Sequence, residues 1–499
     1  MDERREGVAW LDRRRPQRDY GLTGADSRRA VELGLADARW YRPPIDPLRL
    51  HLLTTRSNGR AACDVVMWLG LLAATASLAW ITLGSWWSIP AFAVYGALYG
   101  ASSDPRWHEC GHGTAFQSRR ANDVVYYLAS FMLLREPTLW RWSHVRHHSD
   151  TIIVGRDPEV LFTRPFRWST LLPNLLNLVN GPKMLWRMAR HATGSIDDEA
   201  RDFVPQDELR RVVWEARAFL AVLGGVVVWS VTTWSIVPPL FIGLPSFYGA
   251  WMLWFFATTQ HAGLREDVLD HRLNTRTVYM NPVLRFLYLN MNYHLEHHLF
   301  PTVPYHALPA LHREVAPHLP RPNTSVLDAY REIVDALRHQ RDDPDWQIPG
   351  RALPDATPLA TSESAATVAT VRVGGGVDLG VVERLAPGQL ARVDIGEATY
   401  VLCRPDDGGY ALLDGMCTHS QTHLAGGLLV DGCIECPKHN GRFDVRTGEP
   451  TRRPVKVPLR TYPITEVEGR IVADVSADVS ADDAERAERS DLDGAPLAR

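Results

Sequence analysis

The chain has 499 residues, too many for a single hydrophobic core, and this length predicts two or more domains. Its formal net charge of −4 argues against a general nucleic-acid binder, so no nucleic-acid partner is expected. The six cysteines are scattered and two of them fit a metal motif, which argues against a disulfide framework and favours a reducing compartment.

Four apolar runs follow a polar, Arg-rich arm at residues 1–60. Their lengths suit two membrane hairpins, with spans at 65–83, 89–103, 218–236 and 239–257. The short turn inside each hairpin carries no Arg, whereas the segment between the hairpins carries many. The positive-inside rule therefore places both termini and all histidine clusters on the cytoplasmic side of the cell inner membrane. Buried core helices of a soluble enzyme are the alternative, but charge-free runs of this length favour the membrane.

The remainder of the chain has a different composition. Residues 342–367 are rich in Pro, Ala, Ser and Thr, which predicts a linker. Short apolar runs between Gly and Asp turns at 368–475 predict a small all-β domain. The tail at 476–499 is acidic and polar and is expected to be disordered. The expected architecture is multi-domain: an all-α membrane domain with four transmembrane helices at 61–341, followed by the linker and the β domain.

Three histidine clusters lie next to the apolar runs. Within each cluster the spacing is i,i+4 or i,i+3,i+4, so on a helix the imidazoles share one face. Imidazole is a common iron ligand, and histidines near a bilayer are costly unless they are functional. A lone histidine on an apolar face is usually a packed core residue, but three clusters predict a cage for two irons. The predicted ligands are His108, His112, His144, His147, His148, His294, His297 and His298, with His261 at the end of the fourth run as a ninth.

Several neighbouring side chains are candidates to orient these ligands. A carboxylate that accepts a ligand's second N–H fixes the tautomer of the ring. Glu109, Asp270 and Glu296 are predicted for that role, with a solvated or helix-pairing carboxylate as the alternative. His271 is expected at the surface or just behind the ligands. The remaining histidines are expected to face solvent: His51, His191, His306, His312, His318, His339 and His423.

A second metal motif lies in the predicted β domain, at Cys417-x-His419 and Cys436-x-x-His439. Two thiolates on one iron and two imidazoles on the other form a Rieske [2Fe–2S] cluster. A zinc site is the alternative. Zinc motifs usually pair like with like, whereas here each half supplies one cysteine and one histidine, which favours the Rieske cluster.

The order of the histidine motifs, ending in Asn292-Tyr-His-Leu-Glu-His-His298-Leu-Phe-Pro, resembles the membrane fatty acid desaturase and hydroxylase superfamily over roughly residues 60–320. This resemblance implies four spans, a cytoplasmic di-iron site held by the nine histidines, and O₂-dependent attack on an unactivated C–H bond. The segments Gln260-His-Ala-Gly-Leu, Asn274-Thr-Arg-Thr-Val and Tyr305-His-Ala-Leu-Pro are similar to a bacterial branch that includes the oxygenase of rhizopine catabolism, whose substrate is not a fatty acid.

The β domain, with Cys436-Pro-Lys-His-Asn-Gly-Arg-Phe-Asp followed by Thr447-Gly448, is similar to Rieske-type ferredoxins. Thr422 stands where the high-potential class carries an extra cysteine, so the resemblance implies a low-potential electron donor. No G-x-G-x-x-G motif follows a predicted strand. A separate NAD(P)H-dependent ferredoxin reductase is therefore expected as a partner.

Together these motifs predict an O₂-dependent di-iron membrane oxidase that receives electrons from its own Rieske cluster, with the lipid bilayer and a reductase as partners. It desaturates or hydroxylates an unactivated C–H site. An acyl chain is the favoured substrate and a small non-lipid metabolite the alternative. His108-Glu-Cys-Gly-His112 also satisfies the HExxH pattern of a zinc protease with Glu109 as base, but that hypothesis leaves the other clusters unexplained. A non-enzymatic electron-transfer or iron-binding membrane protein is a further alternative.

Overall fold

The computed structural model divides the chain into two compact units. The helical unit comprises Met1–Tyr41, Asn58–His298 and Arg321–Arg351. The β-rich unit comprises Arg42–Ser57, Leu299–Pro320 and Ala352–Arg499. The domain boundaries expected from the sequence stay predictions.

The structure describes residues 18–36, 40–349, 351, 353–354, 371–373, 376–381, 385–396, 398–419, 422–437, 441–453, 455–467 and 469–475. Most of the predicted linker, the predicted tail at 476–499 and residues 1–17 of the N-terminal arm lie outside the described residues. The predicted ligand His439 also lies outside them.

The helices dominate the first part of the chain. They are α1 (Ala25–Glu32), α2 (Pro47–Leu53), α3 (Asn58–Ile81), α4 (Ser88–Gly96), α5 (Ser103–His112), α6 (Arg119–Met132), α7 (Pro137–Ser149), α8 (Trp168–Asn174), α9 (Asn180–Ala192), α10 (Asp198–Phe203), α11 (Leu209–Thr232), α12 (Val237–Phe241), α13 (Pro245–Tyr248), α14 (Ala250–His261), α15 (His271–Asn274), α16 (Pro282–Leu287), α17 (His294–Leu299), α18 (Leu308–Val315) and α19 (Val326–Asp342). A π-helical turn at Ala97–Ala101 joins α4 to α5.

Two helices among the described residues are long and apolar enough to cross a membrane, at Leu48–Ile81 and Gln206–Thr232. Only 11% and 22% of their most apolar stretches are buried, so these side chains face outward and not into a protein core.

The second run of each predicted hairpin is interrupted. Residues 89–103 form α4, the π-helical turn and the start of α5. Residues 239–257 fall on α12, α13 and α14. Gly243, between α12 and α13, has a φ of +94°, a left-handed backbone conformation that favours glycine and ends a helix. The count of four transmembrane helices therefore stays a prediction.

A close backbone contact joins these two interrupted runs. A Cβ on Gly249, at the N-terminus of α14, would overlap the carbonyl group of Gly96 at the end of α4. A Cβ on Gly96 would in turn collide with the ring of Tyr248. Because only glycine permits backbones to lie this close, these positions hold α14, which ends at His261, against the segment that leads into α5.

The first turn of α7 is fixed from outside the helix. Glu215 on α11 accepts hydrogen bonds from the Thr138 backbone N–H at 2.7 Å and from the Thr138 hydroxyl at 2.8 Å. A carboxylate at a helix N-terminus satisfies an otherwise unpaired N–H group and interacts favourably with the helix dipole. The contact ties α7, which carries the second histidine cluster, to one of the two long apolar helices.

The β-rich unit contains the predicted small β domain. Its strands are β1 (Val371–Val373), β2 (Gly376–Val381), β3 (Gln389–Ile395), β4 (Ala398–Arg404), β5 (Ala411–Asp414), β6 (Leu428–Val430), β7 (Cys433–Glu435), β8 (Arg442–Asp444), β9 (Pro450–Arg452), β10 (Thr461–Tyr462), β11 (Ile464–Val467) and β12 (Arg470–Ala473).

These strands form three antiparallel sheets, in the orders β1–β2–β12–β11, β10–β5–β4–β3 and β6–β7–β8–β9. On β3, Ala391, Val393 and Ile395 are buried while Arg392 and Asp394 are not, the alternation expected of a strand with one face on the core. The expectation of a helical region followed by a small all-β domain is confirmed.

Candidate metal centres

The predicted histidine ligands lie on four helices. α5 carries His108 and His112; α7 carries His144, His147 and His148; α14 ends at His261; and α17 carries His294, His297 and His298. On α5 the helix stops directly after its second histidine because Gly113 has a φ of 67°, in the left-handed region. The i,i+3 and i,i+4 spacing turns the imidazoles of each helix to one side.

The structure brings all nine histidines into two groups. In each group, one nitrogen atom per histidine lies within 4.8 Å of the corresponding atoms of the others. The first group is His108, His112, His144, His148 and His297, and the second is His147, His261, His294 and His298.

The spacing of the ring nitrogens fits metal ligation. The Nε2 atoms lie 3.0 Å apart in His112 and His144, 3.1 Å apart in His144 and His148, and 3.1 Å apart in His294 and His298. Two nitrogens bound at about 2.1 Å to one metal and about 90° apart are separated by about 3.0 Å. Each group therefore has the geometry of ligands around one ion.

Two carboxylates orient two of these rings. Glu159 Oε2 lies 3.1 Å from His144 Nδ1, and Asp157 Oδ2 lies 2.9 Å from His147 Nδ1. An N–H at Nδ1 that donates to a carboxylate leaves Nε2 with its lone pair facing the centre of the group. Burial raises the pKa of Glu159 to about 7.

Backbone and hydroxyl oxygens contact two more rings. His261 Nδ1 lies 2.8 Å from the carbonyl oxygen of Asn274, and His298 Nδ1 lies 3.3 Å from Thr151 Oγ1. His108 differs, because neither of its buried ring nitrogens has a hydrogen-bonding partner among the described residues. A buried polar atom without a partner is costly, and a bound metal ion would remove part of that cost. The donor set thus fits the irons that the motifs imply.

Most of these imidazoles are neutral. Burial, and then the charges of neighbouring histidines, lowers the pKa well below its usual value in six of them: His108, His144, His148, His294, His297 and His298. In His147 burial lowers the pKa, but the adjacent Asp157 carboxylate outweighs it and raises the pKa overall. A neutral ring is the form that binds a metal ion.

The carboxylates chosen from the sequence stay predictions as partners of the ligand rings. Asp270 accepts hydrogen bonds from the Arg272 guanidinium at 2.7 Å and from the Arg272 backbone N–H at 3.0 Å. Glu296 is fully buried and accepts a hydrogen bond from the Thr277 hydroxyl at 2.6 Å. Glu109 is fully buried on α5.

Sequence reasoning missed Asp157 and Glu159. A signal was present, because Asp157-Pro158-Glu159 follows the second histidine cluster closely in the chain. His271 lies beside the second group: its buried ring stacks on Trp40 with centroids 4.1 Å apart and lies 5.0 Å from the ring of His298.

Two histidines that were expected to face solvent, His191 and His312, are buried instead. His191 lies between two carboxylates, with Nδ1 2.6 Å from Glu136 Oε1 and Nε2 2.9 Å from Asp197 Oδ2. The expectation was wrong for His191 because two carboxylates, the distant Glu136 and the nearby Asp197, satisfy both ring nitrogens away from water.

A cavity of about 210 Å³ lies against both histidine groups. Its wall includes His108, His144, His147, His261 and His294. The rest of the wall combines apolar side chains with charged ones: Met132, Leu133, Phe162, Leu253 and Trp254 with Asp104, Arg135, Glu159, Arg164 and Glu266.

In the β-rich unit, Cys417 and Cys436 are buried in one hydrophobic cluster. The backbone N–H of each donates to a carbonyl oxygen later in its own loop, at 2.9 and 2.8 Å, so each thiol stands at the start of a closed loop. His419 is exposed, and His439 lies outside the described residues. None of the six cysteines, all of which the structure describes, is in a disulfide. Two buried thiols on two loops fit one iron of a [2Fe–2S] cluster.

Comparison with known proteins finds a family match for the helical region and another for the β domain. The family model for fatty acid desaturases matches residues 84–329, and the model for the Rieske [2Fe–2S] domain matches residues 376–463. The chloroplastic omega-3 fatty acid desaturase of Glycine max is 27% identical over 277 residues, which cover 51% of this chain and 58% of the relative.

Two ferredoxin relatives match the end of the chain. The ferredoxin subunit of anthranilate 1,2-dioxygenase from Burkholderia cepacia is 35% identical over 97 residues, 19% of this chain and 89% of the relative. The ferredoxin component of the p-cumate 2,3-dioxygenase system from Pseudomonas putida is 34% identical over 113 residues, 22% of this chain and 94% of the relative.

These matches make the chain an oxidoreductase that acts with oxygen and transfers electrons. The chain carries a fatty acid desaturase domain at residues 84–329 and a C-terminal Rieske [2Fe–2S] domain of the ferredoxin type at residues 376–463.

Proposed function

We propose that the chain is a di-iron membrane oxidase that desaturates or hydroxylates a C–H site of a substrate held in the cavity. The observation that carries this proposal is the pair of buried histidine groups, five of whose members form part of the cavity wall. The nine histidines are the proposed ligands of two irons, and the desaturase match supports iron over other metals.

The reaction needs electrons from outside the site. Iron in these groups would supply O₂ reduction and oxidation of carbon. Desaturation consumes one O₂, two electrons and two protons, removes two hydrogens from the substrate and yields two waters. Hydroxylation with the same inputs yields an alcohol and one water. The chain's own contribution is to hold the imidazoles neutral, fix their tautomers through Asp157 and Glu159, and place the substrate beside them.

We assign electron delivery to the fused Rieske cluster, with Cys417, His419, Cys436 and His439 as its ligands. A one-electron carrier must deliver twice in each turnover. A separate NAD(P)H-dependent ferredoxin reductase would reload it.

Exposed apolar surface supports a membrane location. Leu78 and Trp80 on α3 and Val228 and Trp229 on α11 are all exposed. Such surface is unfavourable in water and favourable in a bilayer. We propose that α3 and α11 span the cell inner membrane, that α4 and α12–α14 return through it, and that the metal centres lie on the cytoplasmic side.

An acyl chain is the first proposed substrate class. The apolar part of the cavity wall, which includes Met132, Phe162, Leu253 and Trp254, would accept a hydrocarbon chain. The omega-3 desaturase relative supports the same choice.

A small polar metabolite is the second candidate, and a specific feature favours it. Arg135 and Asp104 form an ion pair of 2.6 Å on the same wall, and the guanidinium lies 4.3 and 4.7 Å from the ring centroids of Trp107 and Trp140. Charged groups that line a cavity suit a substrate with a polar end.

A zinc protease is poorly supported. An HExxH site uses two histidines and one further ligand, whereas His108 and His112 share their group with three other histidines.

Metal analysis and isotope labelling of the purified full-length chain test the proposal. We expect about four irons per chain, two in the cluster and two in the histidine groups. With a reductase, NAD(P)H and ¹⁸O₂, hydroxylation places label in the product, whereas desaturation places it in water alone. Parallel reactions with acyl and small polar substrates separate the two substrate classes. One zinc per chain and no O₂ uptake would refute the proposal.

A further inference from the structure

The β-rich unit contains two segments that lie outside the Rieske match. Arg42–Ser57 contains α2 and directly precedes α3. Leu299–Pro320 belongs to the desaturase match and begins directly after the proposed ligand His298. Both nevertheless pack with the Rieske domain in one compact unit. Charged and aromatic contacts next to Cys436 join these two segments to the Rieske domain.

Arg42 bridges two loops of the Rieske domain. Its guanidinium donates to the backbone carbonyl of Pro437 at 2.6 Å and to that of Gly426 at 3.3 Å. Pro437 directly follows the proposed cluster ligand Cys436. A guanidinium presents several N–H groups in a rigid plane, so a single arginine can hold two carbonyl groups at a fixed separation.

The same guanidinium also meets the segment that follows the histidine centre. Arg42 lies 5.7 Å from the centroid of the Phe300 ring, and Phe300 is buried. Phe300 stands two residues after His298 in the chain. Arg42 thus contacts both the loop beside a cluster ligand and a side chain that is covalently close to an iron ligand.

A buried ion pair makes a second attachment. Arg56 Nη2 lies 3.4 Å from Glu435 Oε2, and the two side chains are 7% and 0% exposed. Glu435 immediately precedes Cys436. An exposed pair, Arg49 with Glu314 at 2.8 Å, connects the two segments to each other. Because a buried charge is costly without its partner, the Arg56 pair favours the packed arrangement over a separated one.

We propose that Arg42–Ser57 and Leu299–Pro320 form an intramolecular electron-delivery dock for the Rieske domain, with Arg42 as its positioning residue. That the electron goes to the histidine groups rests on the proposed di-iron function. The contacts of Arg42 and Arg56 do not depend on it. Each transfer would move one electron from a [2Fe–2S] cluster held by Cys417, His419, Cys436 and His439 to iron held by the histidine groups. Two transfers accompany each O₂, and the electrons come from NAD(P)H through the reductase.

The dock also affects the cluster electrostatically. Reduction adds one negative charge to the cluster, and the Arg42 guanidinium lies against the residue that follows Cys436. A nearby cation stabilises the more negative form, so Arg42 raises the reduction potential. This effect needs no iron in the histidine groups.

The test compares Arg42→Gln and Arg42→Lys in the full-length chain. Two quantities are measured: the midpoint potential of the cluster by EPR-monitored titration, and the rate at which the pre-reduced cluster is reoxidised after mixing with O₂. We expect Arg42→Gln to lower the potential and to slow reoxidation by about tenfold or more, since small misplacements of reacting centres have effects of this order. Arg42→Lys keeps the charge and restores the potential, but it cannot hold both carbonyl groups, so reoxidation stays slow.

Arg446→Gln is the matched control, because Arg446 lies on the same domain in an exposed pair with Asp407 and should change neither quantity. An Arg42→Gln variant with an intact EPR signal, an unchanged potential and normal reoxidation would overturn the dock. If that variant lost its EPR signal, Arg42→Lys and Phe300→Leu decide: normal reoxidation in both overturns the proposal, and slow reoxidation supports it. A wild-type chain whose cluster is never reoxidised by O₂ would contradict the di-iron function, while the potential shift would still test the dock.

Discussion

The histidine centre draws its ligands from four helices that are far apart in the sequence, whereas the two proposed cluster thiols, Cys417 and Cys436, stand on two neighbouring loops. The first arrangement depends on how the whole helical unit packs, including the glycine contact between α4 and α14. The second depends on short hydrogen-bonded loops within one small domain. The two centres should therefore be separable by single substitutions, each of which damages one and spares the other.

The largest effect is expected for His297→Ala. His297 Nε2 lies 3.2 Å from His148 Nε2 within the first group, so the substitution removes one ligand from a shared ion. O₂-coupled substrate oxidation should fall below detection, while the Rieske EPR signal stays unchanged. NADH-driven oxygen uptake and EPR on the same preparation measure both quantities.

His339→Ala is the control for that substitution. His339 is an exposed histidine on α19 that stacks on Trp346, outside both histidine groups. It should retain full turnover. If His297→Ala kept its turnover, or if both variants lost it equally, the first group would not be the metal site.

The next largest predicted effect is a loss of stability in the β-rich unit. Glu435 is fully buried and pairs with Arg56, Arg442 and Arg452 at 3.4, 2.5 and 3.6 Å. Glu435→Gln leaves the buried Arg56 and the partly buried Arg442 and Arg452 without their shared counter-charge, which costs about 3–5 kcal/mol of unfolding free energy. The urea concentration at which the Rieske absorbance disappears should fall sharply, whereas iron in the histidine groups is retained.

Asp407→Asn is the control for the loss of unfolding free energy in Glu435→Gln. Asp407 pairs with Arg446 in an exposed position, and such pairs contribute about 1 kcal/mol or less. If Asp407→Asn and Glu435→Gln lowered the urea concentration of unfolding equally, the burial of Glu435 would not contribute to the stability of the β-rich unit.

The contrast between the centres also shows what a sequence can predict. The nine histidines could be selected because each cluster has helical spacing, and helical spacing alone turns the rings of His144, His147 and His148 to one side. The β domain could be predicted for a similar reason, since strand alternation and turn residues are local signals.

What the sequence did not predict depends on contacts between distant residues. Asp157 and Glu159 orient ligands from an irregular loop, which has no periodicity to indicate where a side chain points. The pairing of Arg56 with Glu435 joins residues hundreds of positions apart. The break at Gly243 was hidden because an apolar run looks continuous when only its composition is considered.

A smaller loss of iron affinity or activity should distinguish Glu159 from Asp270, one of the carboxylates chosen from the sequence. Glu159→Gln weakens the acceptor of His144 Nδ1–H, so iron affinity or activity should fall about 10–100-fold. Asp270→Asn should lose far less, since that carboxylate pairs with Arg272. Competition with an iron chelator, followed in both variants, measures the difference. Equal loss in the two variants would mean that Glu159 does not act through His144.

The smallest predicted change in stability concerns His191, a histidine of the same helical unit whose pKa is shifted in the opposite direction. Burial lowers the pKa of His191, but hydrogen bonds to Asp197 and Glu136 outweigh burial and raise the pKa above its ordinary value, whereas most of the proposed ligands have lowered pKa values. The stability that comes from the charged ring is fully present below the unfolded pKa of about 6.5 and is lost as pH rises through the folded pKa. We expect the wild-type chain in detergent to lose stability as pH rises from mildly acidic to alkaline, and His191→Gln to be less stable at low pH with a flatter profile. Thermal unfolding across that range, with the exposed His339→Gln as control, measures the slopes. A His191→Gln profile parallel to that of the wild type would show that the ring between the two carboxylates is neutral, like the proposed iron ligands.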